Sequence, residues 1–479
     1  MLCVMLRVSL SSLLNSDKMQ PMNTIKLDLG HTELTLQVPA GAVVLQMGAA
    51  PRLRNPREEI ERSLRKPIGS PPLKDIIRSR LRANPEARAV VVLSDNTRPV
   101  PYKGKEGLLV PLLQEMKRAG LKESAIQLLI ATGTHHPLNE KAVRALLPDD
   151  VFRNGIQVLN HDCRRMDDLV HIGDRPLLGK ILINRHYRDA DIKILTGLVE
   201  SHFMAGASGG RKSICPGLIG EHCTQLIHGG HILSSPKAAD LVLEGNPVHE
   251  EALAVARMAG CDFIVNVTLN AEYSLSGVFS GDLVEAHKSA VRCLQSYVGI
   301  PVRDRYDLVI THAGFVGINH YQAAKAGAVC ASILEPDGYC ILAARHPDND
   351  PIGGPHYKKM LRLLNDLGPD MYEQAIKDPD WTFVPEQWEP QMWARLFRII
   401  PPDHLLYCCP DIREKDFDWI PGTDARTITA RTKDLSVLLN RTVDWTAAAL
   451  NRRLNRPPRI AILKDGPYAI PLLRPDPNG

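Results

Sequence analysis

Nowhere does the sequence hold a Cys-x-x-Cys pair, a long block of basic side chains or a run of the roughly 18 apolar residues that a membrane helix needs. Its ten cysteines follow no regular framework, and the adjacent Cys408 and Cys409 make a poor disulfide. Reduced thiols in a cytoplasmic setting are therefore expected. A net charge of +4, spread thinly over 479 residues, gives no footprint for nucleic acid, and no membrane partner is indicated. No short repeat is present. A His-Glu-x-x-His pair is missing too, which argues against the ordinary zinc hydrolases. The opening segment Met1 to Leu14 is apolar but interrupted by Arg7, and it has neither a basic start nor a small-residue cleavage pattern. Residues 1–22 read as a disordered extension or a misassigned start ahead of an ordinary strand at Thr24.

What is present is a series of short apolar runs separated by helical patterns. At this length more than one hydrophobic core is expected. Ile25 to Val38 reads as two strands joined at Gly30-His31. Ala87 to Ser94 and Ile126 to Ala131 are continuous apolar runs on either side of a helix around Leu108 to Ala119, the βαβ pattern of a parallel sheet. Ala190 to Thr196 and Asp262 to Leu269 read as further strands, and Asn246-Pro247 opens a helix through Ala256. Gly281 to His287 reads as the start of another helix. After Pro301 the pattern restarts with the strand Asp307 to Thr311 and a helix from about Tyr321. The expected division is an extension over 1–22, a cofactor-binding catalytic domain over 23–297 and a second α/β domain over 298–454. Residues 455–479 include a strand, Arg459 to Leu463, that could join either sheet.

Functional side chains gather where ligands collect in such sheets, beyond the carboxyl ends of the strands. Asp95-Asn-Thr97-Arg98 follows one strand, combining an acid, a hydroxyl and a planar bidentate donor suited to phosphate or carboxylate; a proline-braced surface turn is the plainer account. Thr132-Gly-Thr-His135-His136 follows the next, and on an extended or turning backbone only one of its two histidines faces a common site. A third strand leads to His202 and the segment Ser208-Gly209-Gly210-Arg-Lys212-Ser-Ile-Cys-Pro216-Gly217. Small residues there let the backbone approach something bulky, and Lys212 adds a nucleophilic amine. His222, His228 and His231 offer metal nitrogens, with His228 and His231 spaced to share a helix face. Composition would write zinc here. Tyr321, Gln322 and Lys325 lie on adjoining parts of one helical face and suit a carboxylate, against the plainer reading of a solvated helix.

Together, Asp95-Asn-Thr-Arg98-Pro99, Thr132-Gly-Thr-His135, His202 with Ser208-Gly-Gly-Arg-Lys212, Pro216-Gly217, Asn246-Pro-Val-His249 and Tyr321-Gln-Ala-Ala-Lys325 resemble the nickel-pincer lactate racemase family, over roughly Thr24 to Pro471. The resemblance implies an α/β fold of two domains, each a mostly parallel sheet flanked by helices, with the active site at the interdomain cleft. It implies an isomerase that racemises or epimerises a small 2-hydroxy acid, lactate or a relative such as malate. The implied cofactor is the nickel pincer nucleotide, pyridinium-3-thioamide-5-thiocarboxylic acid mononucleotide with nickel, tethered covalently to Lys212. His228 then becomes the one protein ligand of a square-planar metal, which makes zinc the wrong metal. His135 and His202 become the proton-transfer pair, and Tyr321, Gln322, Lys325 and Trp388 surround the substrate with Arg98. Asp95, Thr97, Arg98, Ser208, Gly209 and Gly210 lie by the cofactor. Cofactor-making and nickel-inserting proteins become expected partners. After the first histidine the family commonly has arginine, whereas His136 and Pro137 stand here. A zinc-dependent hydrolase or lyase, or a non-catalytic binding protein of the same fold, are the alternatives.

Overall fold

The computed structural model describes residues 24–473, so the extension expected over 1–22 lies outside the described residues. Its centre is a six-stranded sheet in the order Leu275–Gly281, Phe263–Leu269, Ile192–Leu198, Ala89–Ser94, Ile126–Ala131, Gln157–Asn160. The last five strands run parallel, and Leu275–Gly281 pairs antiparallel on the edge. The unbroken apolar run Ala89-Val-Val-Val-Leu93 is explained by burial on both faces. Ala89, Val91 and Leu93 enter one hydrophobic cluster, while Val90 and Val92 enter another.

The helix Leu109–Arg118 packs Leu109, Leu112, Leu113 and Met116 against the first of these faces. The helix Pro247–Ala259 packs Val248, Ala252, Val255 and Ala256 against the second. Strands Ala89–Ser94 and Ile192–Leu198 are neighbours, and the chain leaves Ala89–Ser94 in one direction before returning on its other side. The loops after these strands therefore meet at the point where the sheet order reverses, the position that favours ligands in open α/β sheets.

A second six-stranded sheet, wholly parallel, has the order Thr423–Asp424, Leu405–Cys408, Leu334–Ala343, Tyr306–His312, Ile460–Leu463, Val43–Leu45. The mixed α/β class with parallel-rich sheets flanked by helices is as expected. Strand membership differs from the expected division at the chain ends. Val43–Leu45 pairs with Ile460–Leu463 in the second sheet. The hairpin of Thr24–Asp28 with Glu33–Gln37 also lies on that side, against the helix Leu435–Leu454. There Gln37 N donates to Asn440 Oδ1 at 2.7 Å, and Leu27, Leu34 and Leu36 join Leu438 and Leu439 in one cluster.

The helix expected from Gly281 begins at Glu285 instead, because Gly281 closes the edge strand. Its φ of +136° and the Ile68 carbonyl oxygen, 2.1 Å from where a Cβ would sit, explain a glycine at that position. Among the described residues no helix is long and apolar enough to cross a membrane.

Candidate active site

Three neighbouring parallel strands deliver the first group of side chains. Beyond Ala89–Ser94, Asp95 accepts from Thr97 twice, from the backbone N–H at 3.1 Å and from Oγ1 at 2.6 Å. Its other oxygen, Oδ2, lies 2.6 Å from His135 Nδ1, which follows Ile126–Ala131. Burial raises the Asp95 carboxyl, but the bonds from His135 and Thr97 outweigh it and hold the group below the usual carboxylate range. A carboxylate can only accept, so His135 Nδ1 carries a proton, and in the neutral ring the lone pair lies on Nε2. Gly133 N donates to Gly217 O at 3.1 Å, which ties this turn to the Pro216-Gly217 segment. His136 and Pro137 are exposed.

His202 rests in the opposite tautomer. Its Nδ1 accepts from the backbone N–H groups of Met204 and Ala205, at 3.3 and 3.2 Å, so the neutral ring carries its proton on Nε2. Burial, then the charges of Lys212, Arg98 and Lys325 and finally His228, push its pKa well below the usual imidazole value. Lys212, Arg98, Lys325 and His228 are thus close enough for their charge to act on His202. Lys212 is likewise held well below the usual amine value, by burial first and then by Arg98 and Arg211. Arg98 Nε stands 3.7 Å from Glu200 Oε2, a carboxylate that the sequence reading passed over.

The glycine-rich segment works differently from its expectation. Gly209 and Gly210 have φ of +74° and +52°, and a Cβ on either would meet protein, Val199 Cγ2 at 2.7 Å and His287 Cδ2 at 2.8 Å. Their small size is thus required by the protein's own packing. Ser208 is a brace, donating Oγ–H to Leu198 O at 2.7 Å and accepting from Glu200 N at 2.8 Å. Sequence reasoning missed the floor beneath. Gly210 N donates to Asn266 Oδ1 at 2.9 Å, and the buried Arg211 donates to Ala205 O at 2.7 Å with His287 beside it. Burial draws Arg211 down to about 9, and no carboxylate pairs with it among the described ion pairs. The signal available was the adjacency of Arg211 and Lys212.

His228 follows the helix Glu221–Ile227, and its Nδ1 donates to Thr224 O at 2.8 Å, leaving Nε2 for another partner. Burial, eased by that bond, lowers it to about 4. His231 sits on a separate short helix, Gly230–Leu233, because the chain breaks at Gly229, so the two histidines do not share a helix face. His222 and His231 are exposed, and among the described residues no group of three or more His, Cys, Asp or Glu converges as a metal set. The His228 ring lies 5.1 Å from that of Trp388, whose Nε1–H donates to Tyr321 OH at 3.0 Å. Tyr321, Gln322 and Lys325 are half-buried on the helix His320–Ala331, started by Asn319, whose side chain accepts from Gln322 N at 2.9 Å. Lys325 Nζ donates to Gln322 Oε1 at 2.7 Å. Two chemically different groups are therefore assembled. One is an imidazole pair with an amine, and the other is an ammonium, an amide and two aromatic rings, joined where Trp388 meets His228.

Residues 29–240 match the lactate racemase N-terminal domain family. The lactate racemase of Lactiplantibacillus plantarum is 30% identical over 391 residues, covering 81% of this chain and 88% of that protein. The chain belongs to the lactate racemase family. A second member, the lactate racemase of Thermoanaerobacterium thermosaccharolyticum, is 30% identical over 78% of this chain and 86% of its own length. The solved lactate racemase apoprotein of that organism superposes with a TM-score of 0.78 over 94% of this chain and all of that one, at 25% identity. A Thermotoga maritima protein shares the fold at a TM-score of 0.54 and 17% identity.

Proposed function

We propose that this lactate racemase family member interconverts the stereoisomers of a small 2-hydroxy acid, lactate or a relative such as malate, in the cytoplasm. The observation that carries the reading is the junction at which Trp388, its ring 5.1 Å from that of His228, bonds Tyr321 on the helix that also carries the Gln322–Lys325 pair, in a chain of this family. The donors suit a lysine-tethered, anionic nickel pincer nucleotide. Lys212 Nζ has no ion-pair or hydrogen-bond partner among the described residues, and the cations there outnumber nearby carboxylates. His228 has one nitrogen anchored and one free, as a single-histidine metal site needs. Lys212 would hold the nucleotide covalently and His228 its nickel, while Arg98 would face its phosphate or the substrate.

When bound, that group supplies a reversible acceptor for the hydride on the substrate α-carbon. The chain's own residues do the rest. His135, with Nδ1–H fixed on Asp95, offers Nε2 to the hydroxyl proton of one stereoisomer. His202 serves the other: at rest its Nε2–H can donate a hydrogen bond to the substrate oxygen, and to take the hydroxyl proton there the ring must first pass that proton to Nδ1, releasing the Met204 and Ala205 N–H groups. Two bases are needed because the stereoisomers present the hydroxyl on opposite sides. Lys325 and Gln322 hold the carboxylate with Tyr321, and Trp388 closes over it and shuts out water. The unit built on the sheet between Ala89 and Gly281 would then hold cofactor and bases, and the helix His320–Ala331 of the second unit the carboxylate. Cofactor-making and nickel-inserting proteins are the partners this requires.

The test is production beside the cofactor-making enzymes, followed by intact mass, bound nickel and a chiral assay on several 2-hydroxy acids. An added mass on Lys212, one nickel per chain and racemisation are expected. An unmodified Lys212 without nickel overturns the reading. His135→Ala and His202→Ala should keep the adduct and lose activity by about 10²–10⁴-fold.

A further inference from the structure

The motif Asn246-Pro-Val-His249 has no part in the chemistry above, yet Asn246 is completely buried and every bonding position of its amide is used. Its Oδ1 accepts from Val248 N at 3.0 Å and from His249 N at 3.3 Å, which starts the helix Pro247–Ala259. Its Nδ2 donates to Met204 O and to Val242 O, both at 2.9 Å. Two N–H groups on one side and two carbonyls on the other allow the amide a single orientation. Arg211 makes the matching bond one residue further on. Its guanidinium, 1% exposed, donates to Ala205 O at 2.7 Å and to Gly209 O at 3.3 Å. The far end of the same motif approaches it too, because the His249 ring stacks at 6.3 Å on His287, whose Nε2 is 3.0 Å from Arg211.

Met204 and Ala205 are the two residues whose N–H groups reach His202 Nδ1. They form the turn of a short hairpin in which His202 pairs with Gly206, and Gly206 O in turn accepts from Leu241 N at 2.9 Å. Three consecutive carbonyls of this turn are therefore anchored, Met204 by Asn246, Ala205 by Arg211 and Gly206 by Leu241. Planar peptides leave only φ and ψ between a residue's N–H and its carbonyl, so a fixed carbonyl limits how far the N–H can swing. We propose that Asn246 and Arg211 are positioning residues for His202: they hold the carbonyls of the two residues whose N–H groups meet Nδ1, and so fix the ring with Nδ1 bare and Nε2–H offered to the substrate oxygen. This rests on the acid–base role given to His202 above. The anchored turn stays in place when the ring carries its proton on Nδ1, so both N–H groups are there to restore the resting ring.

The first measurement is imidazole 15N NMR on the full chain labelled at histidine, with the His202 signals assigned by their loss in His202→Ala. Wild type should show a bare Nδ1 and a protonated Nε2. A protonated Nδ1 overturns the inference, whatever the variants do. Asn246→Asp keeps an oxygen to start the helix but removes the donor to Met204 O, and Arg211→Lys keeps the charge but loses the planar fork. In both, the His202 nitrogens should move toward a mixture of tautomers. Racemisation of lactate by the cofactor-loaded variants should lose about tenfold or more in kcat, with KM changed by about twofold or less. His202 signals like those of wild type in both variants overturn the inference, as does a rise in KM with kcat retained. A role through His202 also forbids additivity. The residual rate of His202→Ala should not fall further when Asn246→Asp is added, and a further loss equal to that of Asn246→Asp alone overturns the inference. Full racemisation by His202→Ala, beside a bare Nδ1 in wild type, overturns instead the acid–base role of His202.

Discussion

The contrast between His135 and His202 comes from what touches each Nδ1. A carboxylate at 2.6 Å demands a proton from His135, and two backbone N–H groups forbid one on His202. Asp95 is the residue that sets this difference. Asp95→Asn replaces a charged acceptor with a neutral amide that can turn its NH₂ toward the ring and reverse the tautomer. Its kcat/KM should fall by about 10²-fold or more while the Lys212 adduct persists, measured by chiral assay and intact mass. Asp95 also affects stability. Its folded pKa is depressed, so its contribution is complete above the unfolded value of about 3.9 and is lost as pH falls through the folded one. Urea unfolding between about pH 3 and about pH 6 should show a shallower acid limb in Asp95→Asn than in wild type.

At the scale of elements, the strand ends were legible because burial on both faces writes an unbroken apolar run, and polar residues mark where each run stops. Asp95, His135 and His202 were found that way. The glycines were legible as special but not as to cause, since sequence cannot say whether the neighbour at 2.7 Å is a ligand or Val199. Gly209→Ala puts a methyl into Val199 at a positive φ. It should destabilise the protein by about 2–4 kcal/mol in urea unfolding and lower the yield of Lys212 adduct, because the turn that follows carries Lys212. Glu200, Asn266 and His287 escaped notice for another reason. Each acts through a partner distant in sequence, and no local spacing encodes such a pairing.

Across the whole molecule, the helix that carries Trp388 is tied by hydrogen bonds to the segment that follows His228. Arg395, on the helix Trp388–Phe397, donates to Ala238 O at 2.6 Å, Leu233 O at 2.5 Å and Ser235 O at 3.2 Å, and Gln391 Nε2 donates to Gly230 O at 3.1 Å. This strap keeps Trp388 against His228. Arg395→Leu removes the donor from three carbonyls and should cost about 2–4 kcal/mol, with a larger loss in kcat/KM than in adduct formation; Arg395→Lys should recover part of both. Fold class was readable from alternating strand and helix patterns, but strand partnership was not. Val43–Leu45 falls in the unit expected over 23–297, yet its neighbour is Ile460–Leu463, more than four hundred residues onward. On the ribosome, the strands between 89 and 281 can be paired while the rest is still being made. Val43–Leu45 must instead wait, edge bare, until nearly the last described strand emerges. The second sheet is thus finished only once Ile460–Leu463 has been made, and a chain stalled before residue 460 leaves an open template for the wrong partner.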